Sequence, residues 1–240
     1  TGSVYAVYIS GIRPERYEYN YRIGDQIVWD PCAQVLRGLG AFGELPNIER
    51  PHTVRCGFFS QKFFSAEEEK LPEIPYEDTV IYKVHVRGYT MQKNSRVRRK
   101  GTFAGLQEKI PYFQELGITA LELMPAYEFQ EVMIPEDMPL EYACKLEKQF
   151  PLNYWGYTKG YYFAPKSAYS YGLDPAREFR DLVKALHRAN IECIMEFYFP
   201  RTCSPLLALS ALRHWSLCYQ VDGFHLVGEG VPRKLLAEDP

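Results

Sequence analysis

The side chains that could do chemistry sit in two apolar runs and one aromatic stretch. IECIMEFYF (191–199), followed by Pro200 and Arg201, carries Glu196 inside a strand-like run, and VDGFHLVGEG (221–230) carries His225, Val227 and Glu229. A carboxylate and an imidazole brought together can trade a proton with a ligand. Glu196, His225 and Glu229 could also ligate a metal, but their spacing matches no specific ligand pattern, so no metal and no cofactor is expected. If the second run continues as a strand, 225, 227 and 229 point to one side. Gly228 and Gly230 would then let the backbone around Glu229 move. An inward Glu196 needs a partner, and Arg201 or His225 is expected to supply it. NYWGY (153–157) offers the flat faces of Trp155 and Tyr157, and HVRG (85–88) offers His85, read either as a functional group or as a histidine satisfied inside the core.

Elements must hold these residues. TVIYKVHVRG (79–88), ITALELMP (118–125), 191–199 and VDGFHLV (221–227) read as near-continuous apolar strands. Between them lie helix signals. Thr102 caps a run of Phe103, Leu106, Ile110 and Phe113 that Pro111 divides or bends; Asp174-Pro175 opens a helix with Phe179, Leu182, Val183 and Leu186 on one face; Ser204-Pro205 opens another through Tyr219. Strands alternating with helices predict an α/β fold with a covered parallel sheet. That sheet is either an open doubly wound domain or the first half of an eight-stranded barrel. Ahead of it, VYAVYISG, YEYNYRIG and QIVWDP (within 1–46) read as short β-runs at the end of an all-β module. Residues 47–78, with Pro51, Pro72, Pro75 and Glu67-Glu68-Glu69, read as an irregular connector. The stretch from 126 to 172 reads as a long aromatic loop.

The bulk numbers exclude several classes. The 240 residues are 46% hydrophobic and 24% charged, with a net charge of −2. No global basic field recruits nucleic acid, and the basic run Arg96-Val97-Arg98-Arg99-Lys100 reads as a solvated loop. No apolar run approaches the ~20 residues of a membrane span. The first residues show no basic stretch followed by an apolar core, the pattern of a secretion leader. The six cysteines (32, 56, 144, 193, 203 and 218) form no CxxC pair and no zinc spacing; reduced thiols and a cytoplasmic location are expected. Aromatic residues make up 15%, including 19 Tyr, which suits surfaces that stack on sugar rings as well as an aromatic core.

VIYKVHVRGYT, GITALELMP, NYWGYTKGYYFAPKSAYS, NIECIMEFYF and VDGFHLV, in that order, resemble successive segments of the α-amylase superfamily of glycoside hydrolases, and within it the isoamylase, pullulanase and glycogen-debranching branch. YNYRIGDQIVWDPCAQVL is similar to the end of the β-sandwich module that precedes the barrel in that branch. The resemblance implies a (β/α)8 barrel with its site at the carboxyl ends of the strands. The chain then divides into 1–46, the end of a starch-binding-like module; 47–78, a connector; and 79–240, the first half of the barrel. Four strands of eight leave two open edges, so a fragment of a longer protein, or self-association through those edges, is expected.

The resemblance also implies what the site should hold: a carboxylate nucleophile, a carboxylic acid that protonates the leaving oxygen, and a third supporting acid. On the fourth strand the family reads Gly-Phe-Arg-x-Asp. Here Gly223 and Phe224 match, the arginine position is His225, and the nucleophile position is Val227, which has no lone pair to attack with. On the third strand the family's Asp-x-x-x-Asn-His falls on Glu196, Pro200 and Arg201. Tyr157 matches the sugar-stacking tyrosine, Trp155 lies on the rim, and His85 matches the histidine of the first strand. Glu229 is the rescue candidate, but a two-residue shift is about 6–7 Å along a strand, more than one extra methylene spans. The expected function is therefore a catalytically degenerate member of α-glucan (glycogen or starch) metabolism that keeps α-glucan contact. The alternatives are an active hydrolase whose other catalytic residues lie beyond Pro240, and a partner-binding module without sugar affinity.

Overall fold

The structure, a computed structural model, describes residues 6–45, 54–58, 70–135, 137–143, 145–146, 150–172 and 174–239. The acidic patch Glu67–Glu69, Pro51 and Cys144 lie outside the described residues.

The centre is a four-stranded parallel sheet in the order β11-β10-β7-β6, with β6 Ile81–Val84, β7 Ala120–Leu123, β10 Glu192–Tyr198 and β11 Gly223–Val227. β7 and β10 are the interior strands, and β7 is buried at every position. Their β-branched, aliphatic and aromatic side chains pack against the helices that connect the strands. These are α2 (Phe103–Gln107), α3 (Ile110–Leu116), α5 (Pro175–Arg188) and α6 (Pro205–Tyr219). Phe103 meets Phe179 edge-on, and Phe179 in turn meets Trp215 and Tyr219, so α2, α5 and α6 share one aromatic core with β10.

Local chemistry sets the helix ends. The Thr102 hydroxyl accepts from Gly105 N–H at 3.1 Å and starts α2. Asp174 accepts from Arg177 N–H at 3.1 Å and starts α5, with Pro175 at its first position. Pro111, in the first turn of α3, divides the expected helix into two, because a proline cannot continue the ladder of the preceding turn. Gly117 closes α3 at φ +77°. The basic run forms a loop, with Glu108 accepting from the Arg98 and Arg99 backbone N–H groups and Lys100 donating to two carbonyls.

Several expected elements differ. The first strand ends at Val84, because His85 caps a short helix, α1 (Val86–Thr90). It is buried only at its carboxyl end, Val84: Val80 and Ile81 are half exposed, because β6 is a sheet edge. The fourth strand starts at Gly223 rather than 221 and is likewise an edge. The supposed loop 126–172 contains an antiparallel pair, β8 (Tyr127–Phe129) with β9 (Gly160–Pro165), and a short helix, α4 (Leu140–Ala143). At the amino end, Glu18–Tyr19 (β1), Val35–Arg37 (β4) and Arg55–Gly57 (β5) form an antiparallel sheet, and Tyr21–Ile23 (β2) pairs with Gln26–Val28 (β3). β5, in the segment read as irregular, is the central strand of that sheet. Residues 6–11 of VYAVYISG form no strand; Val7 and Tyr8 are exposed, and alternation without a neighbouring strand makes no ladder. No helix among the described residues is long and apolar enough to cross a membrane.

Candidate functional site

Each of the four parallel strands sends one polar side chain to a common point: Lys83 from β6, Glu122 from β7, Glu196 from β10 and His225 from β11. Lys83 pairs in register with Glu122, and Glu196 with His225, so the cluster steps along the carboxyl halves of the strands. The Lys83 ammonium donates to Glu196 at 2.8 Å and lies 3.0 Å from Glu122. His225 Nδ1 is 2.8 Å from the same Glu122 oxygen and 3.7 Å from Glu196. The Tyr157 hydroxyl closes the ring from the loop above, 3.2 and 3.1 Å from the two oxygens of Glu196. Burial alone would depress the Lys83 ammonium, but the hydrogen bonds and charges of Glu196 and Glu122 outweigh it and raise its pKa. Burial raises the Tyr157 phenol too, and the Glu196 carboxylate adds to that.

Glu196 is 2% exposed and is satisfied by Lys83 and Tyr157. The expected partner Arg201 is not among them; it is exposed in the turn after β10, where Pro200 accepts from Cys203 N–H at 2.8 Å. His225 reaches Glu196 only at 3.7 Å and bonds Glu122 instead. Lys83 and Glu122 were missed by the sequence reading because both sit inside apolar runs.

Glu229 does not share a face with His225 and Val227. β11 ends at Val227 and Gly228 turns at φ +102°, which breaks the alternation and leaves Glu229 exposed. The two glycines do not supply freedom there. A Cβ on Gly228 would lie 2.3 Å from the Phe199 carbonyl oxygen and one on Gly230 2.1 Å from that of Pro200, so they are glycine because two backbones touch. Gly230 N–H also bonds Phe199 O at 2.9 Å, and Phe199 N–H bonds Val227 O at 2.9 Å. Val227 thus stands on a fixed strand end.

His85 is saturated by the protein. Its Nδ1 accepts from Gly88 N–H at 2.9 Å, Nε2 lies 2.9 Å from Tyr154 O and 3.1 Å from the Tyr169 hydroxyl, and its ring stacks on Tyr154 at 4.4 Å. Burial lowers its pKa, which favours the neutral ring that these bonds require. Trp155 stands edge-on to His85 and Tyr154 and is half exposed, and Tyr157 is also partly exposed beside the cluster.

Glu122, Glu196 and His225 each place one ligand atom within 4.8 Å of the others, the one such group among the described residues. It is not the expected set, since Glu229 is absent from it. Lys83 already bonds both carboxylates where a cation would sit, and an ion entering there would face its charge at close range. The cluster carries its own cation. The five described cysteines have free thiols, with Cys56 and Cys193 buried.

No family model matches the chain. Among curated proteins it is similar to chloroplastic isoamylase 3 of rice, 31% identical over 227 residues, which covers 84% of this chain and 27% of that one. It is also similar to the glycogen debranching enzyme of Yersinia enterocolitica, 33% identical over 226 residues, covering 83% and 32%. The chain thus spans about a quarter to a third of the length of these relatives. Among solved structures it matches a pullulanase mutant from Paenibacillus barengoltzii complexed with maltotriose, with a TM-score of 0.66 and 20% identity over 93% of this chain and 42% of that one. It likewise matches the catalytic module of the pneumococcal glycogen-degrading virulence factor SpuA, with a TM-score of 0.64 and 20% identity over 88% and 36%. With its motifs in the family's order and these relatives matched over most of its length, the chain belongs to the α-amylase superfamily, on its isoamylase and glycogen-debranching side.

Proposed function

We propose that this chain is part of a non-hydrolytic α-glucan-binding protein built on a debranching-enzyme scaffold. In this reading β6, β7, β10 and β11 are the first four strands of an eight-stranded barrel, whose edges at β6 and β11 meet further strands or a second copy. The cluster then lies where such barrels keep their chemistry, at the carboxyl ends of the strands.

One observation carries the loss of hydrolysis. Val227 stands at the nucleophile position on a strand end clamped to β10, while the carboxylates beside it, Glu122 and Glu196, are bound to Lys83. Valine offers no electron pair to an anomeric carbon, and neither glutamate lies at the nucleophile position of the fourth strand. What remains is a partly exposed aromatic face, Tyr157 and Trp155, suited to stack on sugar rings. The solved relatives complexed with maltotriose and with maltohexaose support α-glucan as the ligand.

The test pairs activity with binding. Soluble glycogen should retard the protein on a native gel, and reducing-sugar release from glycogen and pullulan should not rise above buffer, even at high protein concentration. Release that disappears in Glu196→Gln or Glu122→Gln would show a relocated catalytic carboxylate and overturn the proposal. An unretarded, folded protein would instead favour a module without sugar affinity.

A further inference from the structure

Outside the strand-end cluster, a groove of about 1010 Å³ runs between the end of β3 and the segments around β8 and β9. That is at the upper end of the roughly 300–1,000 Å³ typical of small-molecule sites. Its wall carries three aromatic side chains. Trp29, just after β3, and Tyr161, on β9, have ring centroids 5.3 Å apart at 40°, which makes a bent platform. Tyr157 lines the groove as well, and its hydroxyl is the one that holds Glu196, so the groove and the cluster share a side chain.

The polar lining is almost uncharged. Asn153 uses its carbonyl oxygen to accept from Gly156 N–H at 3.1 Å, which leaves its amide N–H groups to donate to a ligand. Gln130 donates to Val132 O at 3.0 Å, which leaves its carbonyl to accept. Among the described residues of the lining, Lys159 is the one ionisable side chain besides the tyrosines, and none is a carboxylate. Aromatic faces and carboxamides, with no carboxylate among the described lining residues, fit a neutral polyhydroxylated chain better than a phosphorylated ligand or a basic peptide.

We infer that this groove is a second seat for an α-glucan, continuous through Tyr157 with the strand-end face, so that a long oligosaccharide spans both. The inference rests on the α-glucan reading above and adds a site to it.

Calorimetric titration of the full chain with maltotriose and maltoheptaose tests it. Maltoheptaose should bind about tenfold more tightly or better, the margin that one added aromatic contact of ~1.4 kcal/mol gives. Trp29→Ala should reduce maltoheptaose to the maltotriose level. Because Trp29 also packs against the small core, Asn153→Asp is the second variant: it keeps the acceptor for Gly156, removes the donor, and should weaken maltoheptaose about threefold or more. Trp155→Ala probes the strand-end face separately. Unchanged maltoheptaose affinity in folded Trp29→Ala and Asn153→Asp would overturn the groove, while sensitivity to Trp155→Ala would keep the strand-end reading. Sensitivity to Trp29 without sensitivity to Trp155 would keep the groove and remove the strand-end face. No binding of either sugar would end both.

Discussion

Two lysines in this protein each hold two glutamates, and they behave as opposites. Lys166, after β9, is 1% exposed; it bonds Glu128 at 2.6 Å, Glu131 at 2.9 Å and Phe129 O at 2.9 Å, with its ammonium 4.5 Å from the Phe129 ring centre. The backbone completes that triad, since Ser167 N–H bonds Glu128 and Gly43 N–H bonds Glu131. Lys83 is 35% exposed, and the partners added around it are side chains, His225 and Tyr157. The first group is almost wholly buried and ties β8 to β9 and to the residue 43 turn. The second has an open face and takes part of its satisfaction from groups that a ligand could compete for. The same pairing of one lysine with two glutamates thus serves as an internal fastener in one place and as a partly open cluster in the other.

The comparison breaks most sharply on removal of the cation. Lys166→Met should destabilise the fold by about 3–5 kcal/mol, because it strands two buried carboxylates. Lys83→Met also strands two buried carboxylates, but Glu196 keeps the Tyr157 hydroxyl and Glu122 keeps His225, so the loss should be smaller, about 1–2 kcal/mol. Urea unfolding of both variants measures this, and equal losses would erase the distinction. Salt sharpens it next. In double-mutant cycles, the coupling of Lys83 to Glu196 should shrink by roughly half between 0.05 and 1 M NaCl, whereas that of Lys166 to Glu128 should hold, since buried pairs are screened least. A coupling at Lys83 that ignores salt would mean its site is closed in solution.

The smallest effect lies at alkaline pH. Burial depresses the Lys166 ammonium, but Glu128 and Glu131 outweigh it and leave its folded pKa above the ordinary 10.5. A raised folded pKa means that the unfolded chain loses its proton first, so the stabilisation is whole below pH 10.5 and declines above it. The stability gap between the wild type and Lys166→Met should therefore narrow as pH rises from 10 towards 12. A gap that widens over that range would reverse the assigned direction.

The sequence reading reached the alternation of strands and helices, the caps at Thr102 and Asp174, the break at Pro111 and the family. These signals are local in the chain: a hydroxyl or carboxylate before an apolar period, a proline inside one, a motif of five residues. It did not reach Lys83 and Glu122, because IYKV and ALEL are two-sided apolar strands in which one polar residue does not announce what it faces. Nor did it reach the β8–β9 pair and the Lys166 triad, whose partners lie more than thirty residues apart within a stretch that lacks strand-length alternation. Glu229 was misplaced for the opposite reason. Strand periodicity was extended across Gly228, whose positive φ depends on the approach of β10 and is not written in VGEG itself.

The convergence of one polar side chain from each of β6, β7, β10 and β11 also bears on how the sheet assembles. A strand that slips by one residue turns its whole side-chain set to the other face. For any of these four, that slip would carry an ammonium, a carboxylate or an imidazole into the apolar layer beneath the helices and leave its partners unmatched. Only the native alignment lets a single ammonium meet both glutamates. The cluster therefore works as a combination lock on strand alignment, checked against all four strands at once, a role it keeps whatever chemistry the strand ends perform.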